Sequence, residues 1–237
     1  MKVGQQGRPH RKGYVVDLAG TTSWRFAESA RDDLLHVALF VRDAVGLPVV
    51  SGPAVPPRLA GMVPDRRDLL REEELRDAGR QWAGWWAAVL GLEVHPQEPP
   101  GADTLRALGA RRERVGSPPD FAALTERPAL HRAVVETWRE AHDWVGQRRL
   151  DYSGEQGQGC FPYLLVRQVA EDVAFDRSVD VGKVQARAVV LDVDGSWWHL
   201  LAPGTVVCSG AAAAEPETAQ LVLRQAFESG LDRGAST

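Results

Sequence analysis

The chain holds only two cysteines, Cys160 and Cys208, among its 237 residues. Two thiols cannot build the disulfide framework of a small secreted domain, and they are expected to be reduced. Lysine is almost as scarce, standing only at positions 2, 12 and 183, so that the basic side chains are nearly all arginine. With the alanine, glycine and proline content, that bias suggests a bacterial genome rich in G and C. No apolar run approaches the roughly 18 to 20 residues needed to span a bilayer, so no membrane association is expected. Residues 1–13 carry Lys2, Arg8, His10, Arg11 and Lys12, with no apolar stretch behind them to make a signal peptide. The expected location is therefore cytoplasmic. A net charge of −4 and an isoelectric point near 5.9 argue against nucleic acid as a bulk partner. The Lys-Ser/Thr of a P-loop and the His-Glu-x-x-His of a zinc enzyme are both absent. Neither a cofactor nor a metal is expected.

What is present is the composition of an ordinary folded protein, 44% hydrophobic and 25% charged. Its clearest pattern is a stripe. Leu75, Ala78, Trp82, Trp85 and Val89 recur at alternating spacings of three and four, with Trp86 alongside. Three of the eight tryptophans thus share one helix face, which must be buried against something. Burying one indole, about 200 Å², is worth roughly 5 kcal/mol before entropy is subtracted, so the face is too costly to leave in water.

Other stretches follow the same logic. Phe26 to Val45 reads as a helix stopped by Gly46 and Pro48, and the proline-rich stretch 47–64 as an extended crossover. The tryptophan helix spans about 65–90, a shorter helix about 103–114, and a long helix begins at Pro128 and runs to about Arg149. The stripe of that long helix is Leu130, Val134, Trp138, Ala141 and Val145. Pro162 opens a helix lasting to about Phe175. The period then changes: 184–193 is rich in β-branched residues, Asp194-Gly195 is a hairpin signal, and 197–201 and 204–209 are further strands. Pro216 to Gly230 is the last helix. The fold expected is α+β: a mainly helical N-terminal part and a small antiparallel C-terminal sheet packed by a terminal helix. In domain terms this gives a flexible basic tail at 1–13, a mainly helical region at 14–150 and a small α+β region at 151–231. The last two can also form one domain.

Two loops invite chemistry. Val15-Val16-Asp17-Leu18-Ala19-Gly20-Thr21-Thr22-Ser23 resembles the first phosphate loop of sugar kinases in the actin-like ATPase superfamily. The resemblance covers fewer than ten residues and implies a strand-end Asp working with a Gly-Thr-Thr turn on metal and phosphate. After Ser23 the pattern turns helical where those kinases continue a hairpin, and a strand with a polar turn is the plainer reading. The second loop, 154–162, places Gly154, Gly157 and Gly159 where backbone N–H groups could converge on an anion at a helix start. Cys160 beside that start is the weak catalytic candidate, its thiolate favoured by the helix dipole. A histidine to take its proton would have to be brought to it by the fold, and no spacing supports a dyad with either candidate, His142 or His199. His131 and His142 lie about 16 Å apart along one helix and cannot share a metal. A flexible connection between helices explains the glycines equally well.

Trp197 and Trp198 put one indole on each face of a strand, and the outward one is a weak candidate for partner binding. No catalytic motif decides whether the chain is an enzyme. The reading these features support is a non-catalytic protein-interaction or regulatory protein, with a protein partner or self-association. The alternative is a small enzyme or anion-binding protein using loop 154–162 and Cys160.

Overall fold

The computed structural model describes residues 12–15, 23–30, 33–94, 102–155 and 160–234. Most of residues 1–13, the phosphate-loop-like stretch 16–22, and Gly157 and Gly159 lie outside them.

The architecture is α+β. Five strands, β1 (Lys12–Val15), β2 (Arg25–Ala30), β3 (Gln185–Leu191), β4 (Trp198–Ala202) and β5 (Thr205–Ser209), form one sheet in the order β1-β2-β3-β5-β4. The helices are α1 (Asp33–Val45), α2 (Glu72–Gly91), α3 (Ala102–Val115), α4 (Pro128–Glu155), α5 (Tyr163–Asp176), the short α6 (Gly210–Ala214) and α7 (Pro216–Gly234). Both faces of the sheet are covered. On one face, α1, α2 and α4 pack with Val189, Leu191 and Val207; on the other, α5, α6 and α7 pack with Phe26, Ala188, Val190, Val206 and Cys208. A strand buried on both faces carries a continuous apolar run, as Ala186 to Leu191 nearly does.

The sheet is mixed and wider than the small antiparallel one expected from the C-terminal residues. Strand β2 contributes from the N-terminal part and runs parallel to β3, and β3 runs parallel to β5. The outer pairs, β1 with β2 and β4 with β5, are antiparallel. Asp194-Gly195 therefore does not close a hairpin between β3 and β4. The chain there pairs with the crossover instead: Ala60 N donates to Asp192 O at 3.0 Å and Asp194 N to Arg58 O at 2.8 Å. The hairpin falls between β4 and β5, where Gly204 takes the positive φ the turn requires.

Three helix boundaries also moved. Residues 25–30 form a strand and not the start of α1, the tryptophan helix begins at Glu72 after a 3-10 turn at Arg67–Leu69, and α7 runs through Gly230. Helix α4 continues past residue 151 to Glu155, with Gly154 in its last turn. The stop at Gly46 is as expected: it adopts φ +70°, and Leu47 N donates to Arg42 O at 2.9 Å.

Candidate functional site

The tryptophan face of α2 points inward. Trp82, Trp85 and Trp86 are at most 2% exposed, and Trp82 stacks on Trp86 with centroids 5.4 Å apart. Each buried indole also needs a hydrogen-bond acceptor. Trp82 Nε1 donates to Ala38 O at 2.8 Å, Trp85 to Val115 O at 3.0 Å and Trp86 to Ala54 O at 2.9 Å. Trp144 and Trp197 behave alike, donating to Met62 O at 3.0 Å and Gly52 O at 3.1 Å. Three of these acceptors, at Gly52, Ala54 and Met62, belong to the proline-rich crossover. Irregular backbone has no ladder of its own, so its carbonyls turn to side chains or to water, and here three of them take an indole.

The partner candidates on the β4 side are likewise engaged. Trp197 packs against the α1/α2/α4 core and Trp198 against the α5/α7 core, one on each face, and both are half-buried.

Cys160 sits just before α5, and there the expected anion is the protein's own. Cys160 N donates to Glu28 Oε1 at 2.7 Å and Phe161 N to Glu28 Oε2 at 3.2 Å. Glu28 is buried on β2, and Phe161 meets Phe26 edge to face at 5.5 Å. The two N–H groups that would greet an anionic ligand are thus occupied by a carboxylate 132 and 133 positions away in the chain. Cys160 itself is half-buried and packs on the α5/α7 side of the sheet. His142 lies beside Trp138, which packs on the opposite core, with ring centroids 5.7 Å apart. His199 lies between Trp198 and Leu200, both on the Cys160 side, and so faces the other way. Neither histidine is brought to the thiol. Cys208 is fully buried on β5, and burial pushes its thiol far up.

Sequence reasoning missed a set of buried polar groups. Arg42 on α1 donates through Nη1 to Pro56 O and through Nη2 to Pro57 O, both at 2.7 Å, and pairs with Asp43 at 2.7 Å. Asp43 in turn accepts Leu59 N at 2.7 Å. His36 Nε2 accepts Asp192 N at 3.1 Å, which fixes that nitrogen as unprotonated. Arg187 on β3 pairs with Glu93 at the end of α2. These charges are isolated in apolar stretches, and no spacing rule marks them.

An open cleft of about 390 Å³ lies between Pro48, Val49, Val50 and the α2 residues Arg76, Gly79, Arg80 and Ala83. Its arginines are already paired with Glu72 and Asp77. Among the described residues no helix is long and apolar enough to cross a membrane.

The remaining feature is the outer surface of the α5/α7 layer. Phe175 is 84% exposed and Leu164 74% exposed on α5, and Leu221 is 62% exposed on α7. The sequence opens this helix at Pro162 and carries it to about Phe175 without separating its outward residues from the inward Val166, Val169, Ala170 and Val173. Their exposure becomes visible once the inward face is known. Comparison of the chain with protein-family models, curated proteins and solved structures finds no match.

Proposed function

We propose that the chain is a non-catalytic protein-interaction or regulatory protein. The observation that carries this reading is Phe175, an aromatic ring 84% exposed on the same helix as the exposed Leu164. Large apolar groups cost free energy in water, and aromatic side chains grouped on a surface are typical anchors of protein contacts. The tryptophans of α2, Trp82, Trp85 and Trp86, are accounted for inside the protein. The contact surface is therefore read as the α5/α7 layer, with Trp197 and Trp198 as secondary candidates. We read the setting as a bacterial cytoplasm, on the arginine-for-lysine bias and the two thiols, and we read nucleic acid as outside its partner range, on the acidic net charge.

The test is affinity capture and sedimentation with the purified chain beside Phe175→Arg. Retention of a protein partner or a second copy that the variant loses supports the reading. A strict monomer that holds nothing the variant fails to hold overturns it.

A further inference from the structure

Building on that interaction reading, we infer that the outer face of α5 pairs antiparallel with the same face of a second copy of this chain. The outward residues are Leu164, Gln168, Glu171 and Phe175, at spacings of four, three and four, all exposed. Leu164 and Phe175 are eleven positions apart, three helical turns, so they differ by only about 20° around the axis. This is the spacing of a short coiled-coil seam. Arg167 flanks it on one side and Asp172 on the other, both exposed.

The order of these residues is complementary to itself under one symmetry. A two-fold axis passing between Val169 and Ala170 sets Leu164 against Phe175 of the second copy. The same axis brings Arg167 within one residue's rise of Glu171 on the same flank and Gln168 within one of Asp172, each matched again by symmetry. Apolar groups meet at both ends and opposite charges meet between them. A parallel pairing would set Glu171 against its own copy, a like-charge contact at the centre of the seam. Within one chain, Arg167 Nε already donates to Glu171 Oε1 at 2.8 Å, so both side chains lie on the surface that the second copy would cover. On the neighbouring helix, Leu221 adds an exposed apolar group one turn before Arg224, which is paired to Asp176 at the end of α5. The charge pattern is what selects a second copy over an unrelated partner, since an unrelated surface would not require Arg167 and Glu171 to match across a two-fold axis.

One helix pair makes a small interface, so the dimer is expected to dissociate at about 10–100 µM. Sedimentation equilibrium of the full chain over that range should show a monomer–dimer equilibrium. Phe175→Arg should weaken it at least about tenfold. Arg167→Glu and Glu171→Arg should each weaken it, and the double exchange should restore it to within about threefold of the starting chain. Circular dichroism melts separate loss of association from loss of fold, since all these side chains are exposed. A chain that stays monomeric through that range overturns the pairing, as does a dimer that none of the substitutions affects or that the double exchange fails to restore. A monomer that nevertheless holds another protein through Phe175 overturns self-pairing and leaves the interaction reading standing. A monomer with no Phe175-dependent partner overturns both.

Discussion

The guanidinium of Arg42 lies 5.7 Å from the centroid of the Trp82 ring while its N–H groups hold the carbonyls of Pro56 and Pro57. One buried cation thus links α1, the tryptophan face of α2 and the crossover. Replacing Arg42 with methionine leaves Asp43 and two carbonyls without their partner, and stability should fall by about 3–5 kcal/mol. Arg42→Lys should recover little of this, because one ammonium cannot reproduce the fork that reaches both carbonyls and the carboxylate. Urea unfolding midpoints of the two variants check it, and a lysine variant as stable as the parent would refute the geometry.

Trp86→Phe keeps an aromatic ring beside Trp82 and deletes the N–H that serves Ala54 O. Ala54 is exposed and its carbonyl can turn to water, so the expected cost is about 0.5–1.5 kcal/mol, the net worth of one hydrogen bond. Hydrogen exchange gives the sharper readout: Gly52 and Val55, whose N–H groups bond each other's carbonyls in the crossover turn, should exchange faster. Unchanged exchange there would mean that the indole does not hold the turn.

Glu74 supplies a pH prediction. Its carboxylate accepts Arg71 N at 2.9 Å at the start of α2 and is met by Arg132 from α4 at 2.6 Å. The bond from the Arg71 backbone, followed by its side chain and then by Arg132, lowers the Glu74 pKa from 4.5 to about 2. A folded pKa below the unfolded one contributes stability that is complete above about pH 4.5 and is lost as pH falls towards about 2. The stability gap between the parent and Glu74→Gln should therefore be constant at neutral pH and close across that acid window. A gap independent of pH from 5 down to about 2 would contradict it.

The cysteines should separate by burial. Cys160, half-buried, should react with a thiol reagent in the native state, while Cys208 should stay silent until the chain unfolds. This difference needs no ligand site. Protection of Cys160 by inorganic phosphate would be the distinct sign of one, and Glu28 already fills the N–H groups that phosphate would use. Glu28→Gln should speed exchange of the Cys160 and Phe161 amides, because a neutral amide accepts more weakly than the carboxylate.

The helices were legible because their burial follows one period. In α4 the stripe residues Leu130, Val134, Ala141 and Val145 lie in the core with Trp138 partly buried against it, and in α7 Ala219, Val222, Leu223, Ala226 and Phe227 are all buried. Strand β2 was not legible. Buried Trp24 precedes it and its own inward positions are Phe26 and Glu28, where the charged residue disguises the alternation of a strand. Parallel pairing of β3 with β5 was hidden for another reason. Asp194-Gly195 has the composition of a hairpin turn, yet the neighbouring backbone bonds to Arg58 and Ala60, a contact between distant positions that local composition does not record. The candidate surface on α5 was invisible because exposure is defined only after the rest of the chain has chosen which helix faces to cover.

The crossover between α1 and α2 has an effect on how the molecule assembles. Its carbonyls at Gly52, Ala54 and Met62 are met by indoles 145, 32 and 82 positions away in the chain. Closing such loops costs chain entropy before any hydrogen bond repays it. Beyond the Gly52–Val55 turn the segment has little local structure to form in advance, so most of it should order only when α2, α4 and β4 are already in place around it. It should be the last part to become protected during refolding and the part whose release lets the α1/α2/α4 core open. The indoles of this chain therefore act in time as well as in space, as the closing step of folding.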